Sequence, residues 1–193
     1  MIKIIGFLLL AFCLLGCDSP ELGLKNVDWD TYLGDSGRQH YSPLTQINRE
    51  NVGRLEEVWR YRSGDPDGLM YTSPLVIDGV LYGLSPSLDV FALDAATGVE
   101  LWRNELGLNS AAQRGLMSWG EGRNRRILFT AGKELIAVDA ATGELVSSFG
   151  IQGRLDLTPS SEGRGGISVT VPGVIYEDTI IVGFSTSEDD LAF

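Results

Sequence analysis

Cysteine and histidine are almost missing from this chain: two of the first and one of the second, with both cysteines in the first 17 residues. A lone histidine, His40, excludes a multi-histidine metal centre. No Cys-x-x-Cys-His run occurs, so no c-type haem is attached within these residues. Past Cys17 there is no further thiol and hence no intrachain disulfide beyond it, whatever the redox compartment. Basic residues are scarce too. Against 26 Asp and Glu stand 15 Lys and Arg, a net charge of −11. That balance argues against nucleic acid or an anionic lipid surface as a partner, and the single Arg164-Gly165-Gly166 reads as loop. The longest apolar run, residues 4–15, is too short to span a bilayer, which takes about 20 apolar residues.

That run has another use. Lys3 precedes it and Leu14-Leu15-Gly16-Cys17 closes it, the layout of an export signal with a small-residue cleavage site. The pattern resembles a bacterial lipoprotein signal. The resemblance implies a signal peptide over residues 1–16, diacylation of Cys17 as the mature N-terminus, and a periplasmic protein tied to a membrane by lipid. Asp18 resembles the inner-membrane retention signal of such lipoproteins. An ordinary signal peptide with an incidental cysteine is the alternative. Residues 17–28, with Pro20 and Gly23, read as a polar tether.

The mature chain says one thing twice. Asp94-Ala95-Ala96-Thr97-Gly98 returns 45 residues on as Asp139-Ala140-Ala141-Thr142-Gly143, each behind an apolar alternating stretch. Short strands repeating every 40–45 residues are the signature of β-propeller blades. In the turn, the carboxylate or hydroxyl can accept or share bonds with nearby N–H groups, and glycine supplies positive φ. Trp102 follows the first turn, placed to wedge against a neighbouring blade; the second copy has Ser147 there, with Phe149 two residues later. Residues 74–82 and 174–182 read as hairpins, the first turning at Asp78-Gly79. A helical turn is expected over residues 48–55 and a strand over 57–61. Residues 104–125 and 151–169 read as long loops, functional or disordered. His40, Trp59 and Trp102 read as structural.

The opening carries a family resemblance. Trp29, Tyr32, Gly34, Asp35, Gly37, Tyr41-Ser42-Pro43-Leu44, Gln46-Ile47-Asn48, Asn51-Val52 and Leu55 resemble the start of the quinoprotein dehydrogenases, from Trp29 to the last residue. The resemblance implies an all-β fold: residues 29–193 as the N-terminal part of an eight-bladed propeller carrying pyrroloquinoline quinone (PQQ) and Ca²⁺. The chain most resembles the glucose/polyol branch, since the alcohol branch has two adjacent cysteines where Leu108 to Gln113 stand. Gln113-Arg114-Gly115-Leu116-Met117-Ser118-Trp119 is similar to the segment whose arginine bonds the quinone oxygens, which makes Arg114 the catalytic and cofactor-binding cation. Thr170 and Ser185, 15 residues apart, match a pair contacting the cofactor carboxylates, and Glu188, three further on, matches a Ca²⁺ ligand. Tyr71 stands where many members carry a cofactor-contacting glutamate; a phenol can still hydrogen-bond, but cofactor affinity or identity is open there.

The function implied is oxidation of a sugar, polyol or alcohol on the periplasmic side, with electrons passed to a membrane quinone or cytochrome. Ca²⁺ would act as Lewis acid. An aspartate base and the remaining calcium ligands are expected beyond Phe193. About 45 residues per blade allow only three to four blades here, so the sequence reads as part of a longer protein, unstable and inactive by itself. A rival reading is a non-catalytic propeller lipoprotein, a scaffold in outer-membrane protein assembly, which needs no cofactor.

Overall fold

The computed structural model describes residues 27–65, 68–108, 113–158 and 167–186. Nearly all the regular structure is antiparallel β. Blade 1 is a four-stranded meander of β1 (Leu75–Ile77), β2 (Val80–Leu84), β3 (Val90–Asp94) and β4 (Glu100–Asn104), in spatial order β1-β2-β3-β4. Blade 2 repeats it with β5 (Met117–Trp119), β6 (Arg126–Ala131), β7 (Glu134–Asp139) and β8 (Arg154–Asp156). A third unit begins with β9 (Ile167–Ser168), the hairpin of β10 (Val174–Tyr176) and β11 (Thr179–Ile181), and β12 (Ser185–Thr186), which pairs back with β9. The first strands converge: Ser73 and Gly115, just ahead of β1 and β5, form a parallel bridge. Strands running side by side at one end of successive sheets are the inner strands of a propeller, and these residues form part of one.

Each blade buries both of its faces. Leu75, Ile77, Leu84 and Val90 of blade 1 pack with Ile127, Phe129, Ile136 and Val138 of blade 2 in one core. The alternate residues of blade 2, Leu128, Leu135 and Ala137, face the other way and meet Ile175 and Ile180 of the third unit. A period of two thus assigns neighbouring residues to different interfaces, and the strands read as continuous apolar runs for that reason.

The repeated turn works as its chemistry dictates. Asp94 Oδ1 accepts bonds from the N–H of Ala96 (3.1 Å) and from the N–H and hydroxyl of Thr97 (2.8 and 2.7 Å). Thr97, by its hydroxyl and then its N–H, holds the Asp94 carboxyl below the usual carboxylate range. Asp139 Oδ1 accepts the same set from Ala141 and Thr142. The glycine that closes each turn has a second task. A Cβ on Gly143 would lie 2.4 Å from the Trp102 ring, and one on Gly98 would lie 2.6 Å from Trp59. Each indole lies flat on the next turn's bare glycine and donates its N–H to an alanine carbonyl, Trp102 to Ala140 (3.1 Å) and Trp59 to Ala95 (3.2 Å).

Three expectations need correction. Residues 57–61 form no strand; the segment is held by side chains instead, through Trp59, the Tyr61 ring 4.8 Å from Phe91, and a 2.6 Å bond from the Tyr61 hydroxyl to Glu100. Arg103 completes that tie, bonding Ser63 carbonyl and the Asp89 carboxylate. The region 104–125 is no continuous loop, because β5 lies within it; likewise 151–169 contains β8 and β9. Only Val52–Arg54 of residues 48–55 is helical, as a 3₁₀ turn. Blade 2 departs from blade 1 after its turn: Leu145 makes a single bridge to Val138, and β8 begins only at Arg154.

Gly143 and Gly79 separate two effects. Both have φ near +75° (75° and 76°), but nothing lies within 4 Å of a Cβ on Gly79. In the full-length protein, Gly79→Ala should cost about 1 kcal/mol, the backbone penalty alone. Gly143→Ala should cost a further 1–3 kcal/mol or so because the methyl displaces the docked indole. Thermal unfolding midpoints compare them; equal shifts would mean that Trp102 does not clamp the blades.

Candidate functional site

The residues expected to act on a cofactor, as far as the structure describes them, sit where the blades converge. Tyr71 leads into β1, Arg114 into β5 and Thr170 into β10. Main-chain bonds fix their relative positions: Ser73 N–H donates to Arg114 carbonyl (2.9 Å), and Arg114 N–H to Thr170 carbonyl (3.0 Å). One strand of contacts therefore crosses three consecutive units. Ser185, in β12, lies opposite Ser168 in register and bonds its carbonyl through Oγ (3.2 Å), which places it two residues along from Thr170.

Side chains at this rim point two ways. Gln113 is buried, and Arg114, next along an extended segment, is exposed. Among the described residues the Arg114 guanidinium has no hydrogen-bond partner. Tyr71 is exposed and Thr170 half-buried. Behind Arg114, the space at Gly115 is filled. A Cβ there would sit 2.4 Å from the Tyr32 ring and 3.1 Å from Pro172. Tyr32 belongs to the opening segment, which reaches the inner edge of blade 1 through paired bonds between Trp29 and Val76 (2.7 and 3.0 Å). Arg38 lies over the Tyr32 ring at 5.4 Å, and both line a small cavity of about 110 Å³ against Met117 and Ile175.

Thus Arg114, Thr170, Tyr71 and Ser185 come together at one end of the inner strands. The calcium-ligand expectation at Glu188 and the lipidation expectation at Cys17 lie outside the described residues. Among the described residues no group of three His, Cys, Asp or Glu side chains could hold a metal. The donors present suit an anionic, oxygen-rich group: one guanidinium, three hydroxyls and no carboxylate among the four. The chemistry of PQQ, a planar ortho-quinone bearing carboxylates, fits that set. The sequence reading passed over Gln113 and Tyr32 as side chains with work at the site. Gln113 carried one signal, a polar residue directly ahead of the arginine.

Comparison with known proteins places this geometry. The family model described as PQQ: glucose/ethanol/alcohol dehydrogenase, β-propeller domain, matches residues 29–191. The chain belongs to the PQQ-dependent dehydrogenase family. It is 36% identical over 173 residues to the dehydrogenase subunit of the quinone alcohol dehydrogenase of Komagataeibacter europaeus, covering 83% of this chain and 22% of that protein. Identity to the quinoprotein glucose dehydrogenase of Escherichia coli (strain K12) is 31%, over 84% of this chain and 24% of the relative. The crystal structure of the quinohemoprotein alcohol dehydrogenase of Comamonas testosteroni superposes with a TM-score of 0.69 at 26% identity, covering 82% of this chain and 23% of that one. The chain thus spans about a quarter of the length of these relatives.

The packing behind Arg114 gives a test. Gly115→Ala should destabilise the full-length protein by about 1–3 kcal/mol, since its methyl overlaps an aromatic ring and a proline. Tyr32→Ala, which removes that ring, should recover part of the loss, so the double substitution should cost less than the two singles together. Strict additivity in melting midpoints would show that Tyr32 does not pack against the Arg114 segment.

Proposed function

We propose that this chain is the N-terminal part of a periplasmic dehydrogenase that uses PQQ and calcium to oxidise a sugar, polyol or alcohol, with a membrane quinone or cytochrome as electron acceptor. The supporting observation is the exposed Arg114 guanidinium on a main chain tied to both neighbouring units. Bound PQQ would supply the two-electron acceptor. Arg114 offers a planar pair of donors to an oxygen on which negative charge grows, and its anchored main chain limits the reorganisation needed. Thr170 is a neutral donor suited to a carboxylate, Ser185 becomes a second when its hydroxyl turns from the Ser168 carbonyl, and the Tyr71 phenol can donate or accept beside them. Glu188 is proposed as one oxygen ligand of a hard dication that takes six to eight or so, the others coming from outside this chain. The absence of a cysteine pair before Arg114 supports the glucose/polyol branch. Cys17 is proposed as the lipidated N-terminus, and Asp18 favours the inner membrane.

Arg114→Ala in the full-length protein, loaded with PQQ and Ca²⁺, should lower kcat by about 10²–10³ while weakening cofactor binding far less. Arg114→Lys should recover little, because an ammonium lacks the planar fork. Equal turnover of variant and parent would refute the assignment, and failure of the parent to bind PQQ at all would favour the scaffold reading. For the N-terminus, the parent expressed in a Gram-negative host should fractionate with membranes and Cys17→Ser should release it. A soluble periplasmic parent would sink the lipid anchor.

A further inference from the structure

Gln113 is the unusual residue of this rim: an amide side chain only 2% exposed, one of few buried polar groups among the described residues, with Thr130 another beside it. Its Nε2 donates to the carbonyl of Val169 in the third unit (2.7 Å). Its Oε1 accepts from the hydroxyl of Thr130 in β6 (2.9 Å), which also lies 3.0 Å from the same Val169 carbonyl. The main-chain carbonyl of Gln113 accepts from the hydroxyl of Thr72 ahead of blade 1 (2.9 Å). One residue thus bonds all three units. The adjacent links from Ser73 to Arg114 and from Arg114 to Thr170 lie directly beside it.

A buried amide is a costly way to fill space. Leucine occupies a similar volume without two polar groups to satisfy. What the amide adds is register: it is satisfied only while Thr130 and Val169 keep their places. Arg114 has a long side chain with many rotamers, so the part of it that the fold can fix beforehand is its Cα. Gln113 points into the core and Arg114 out of it, so fixing one sets the direction of the other.

We infer that Gln113, braced by Thr130, is a positioning residue that holds Arg114 in place by clamping its main chain across three blades. The inference rests on the Arg114 reading above for its catalytic consequence, but the clamp itself is a property of the protein without cofactor.

The experiment uses the full-length protein. Without cofactor, hydrogen exchange of peptides spanning residues 71–75 and 113–117 should speed up about tenfold in Gln113→Leu, while peptides in β7 stay unchanged. Thr130→Val should show the same pattern more weakly, and Thr130→Ser, which keeps the hydroxyl, should restore the parent rate. Loaded with PQQ and Ca²⁺, Gln113→Leu should lower kcat about tenfold with KM within about twofold. In an Arg114→Ala background the same substitution should lower kcat less than about twofold, because the residue it positions is gone. Unchanged exchange in Gln113→Leu and Thr130→Val would overturn the clamp. An equal loss of kcat with and without Arg114 would overturn the positioning role. Full turnover in Arg114→Ala alone would instead remove the catalytic reading and with it that role, leaving exchange to decide the clamp. If Gln113→Leu fails to fold, Thr130→Val and Thr130→Ser carry the same tests.

Discussion

A four-stranded sheet with two apolar faces cannot be stable alone, and blade 2 solves that by lying between blade 1 and the third unit. Blade 2 shows the constraint most plainly: Ile127 and Phe129 face one neighbour, Leu128 the other. Because successive residues serve different interfaces, no strand in it can slip by one without emptying both. The docked indoles add a directional lock to this non-directional packing. Trp102 of blade 1 covers Gly143 of blade 2 and bonds Ala140, so the orientation of one sheet on the next is set by a ring and one hydrogen bond. Trp59 makes the same contact on blade 1, although no strand carries it.

The parts legible in the sequence were those whose physics is local. The Asp-Ala-Ala-Thr-Gly turn satisfies itself within five residues, and the Asp78-Gly79 hairpin needs only φ values that its residues permit. Trp102 was legible as a wedge because a large aromatic after a tight turn has few other places to go. What was not legible depends on distant partners. β5 spans three residues inside a stretch rich in glycine and arginine, and only its pairing with β6 makes it a strand. Residues 57–61 have the reverse history. Their alternation is real, with Trp59 and Tyr61 inward, but no described strand pairs with them, so the pattern yields docking without a ladder. Among the site residues, Arg114 and Thr170 were reached through family resemblance. Gln113 was not reached, since an amide declares its role only through the groups it bonds.

Charge is distributed with similar economy. The chain carries a net charge of −11, yet the convergent rim presents a guanidinium and hydroxyls. Other arginines are committed elsewhere: Arg103 to Asp89 and the Ser63 carbonyl, Arg125 to Asp78 (3.3 Å), Arg154 to Glu134 (3.2 Å). Arg114 has no such carboxylate neighbour among the described residues, a state it shares with Arg38 and Arg126, which lie over aromatic rings instead. Among the described residues the hydrogen bonds of Arg114 are to main-chain groups, which fix its position without neutralising it.

The repeat and the site divide the blade between them. What the two blades share, Asp94 to Gly98 and Asp139 to Gly143, lies at the turn leaving the third strand, where the job is to receive a neighbour's indole or to close a tight bend. What differs, Tyr71, Arg114 and Thr170, lies at the start of the inner strand in each unit. Arg114 and Thr170 are linked by a main-chain bond, and Ser73, two residues after Tyr71, is linked to Arg114 by another; neither depends on side-chain identity. A propeller can therefore hold its geometry with one set of residues and vary its chemistry with another, because the bonds that align the rim belong to the backbone. Gln113 is the point at which that separation fails. There a side chain joins the backbone in linking the three units, directly beside the Arg114 guanidinium.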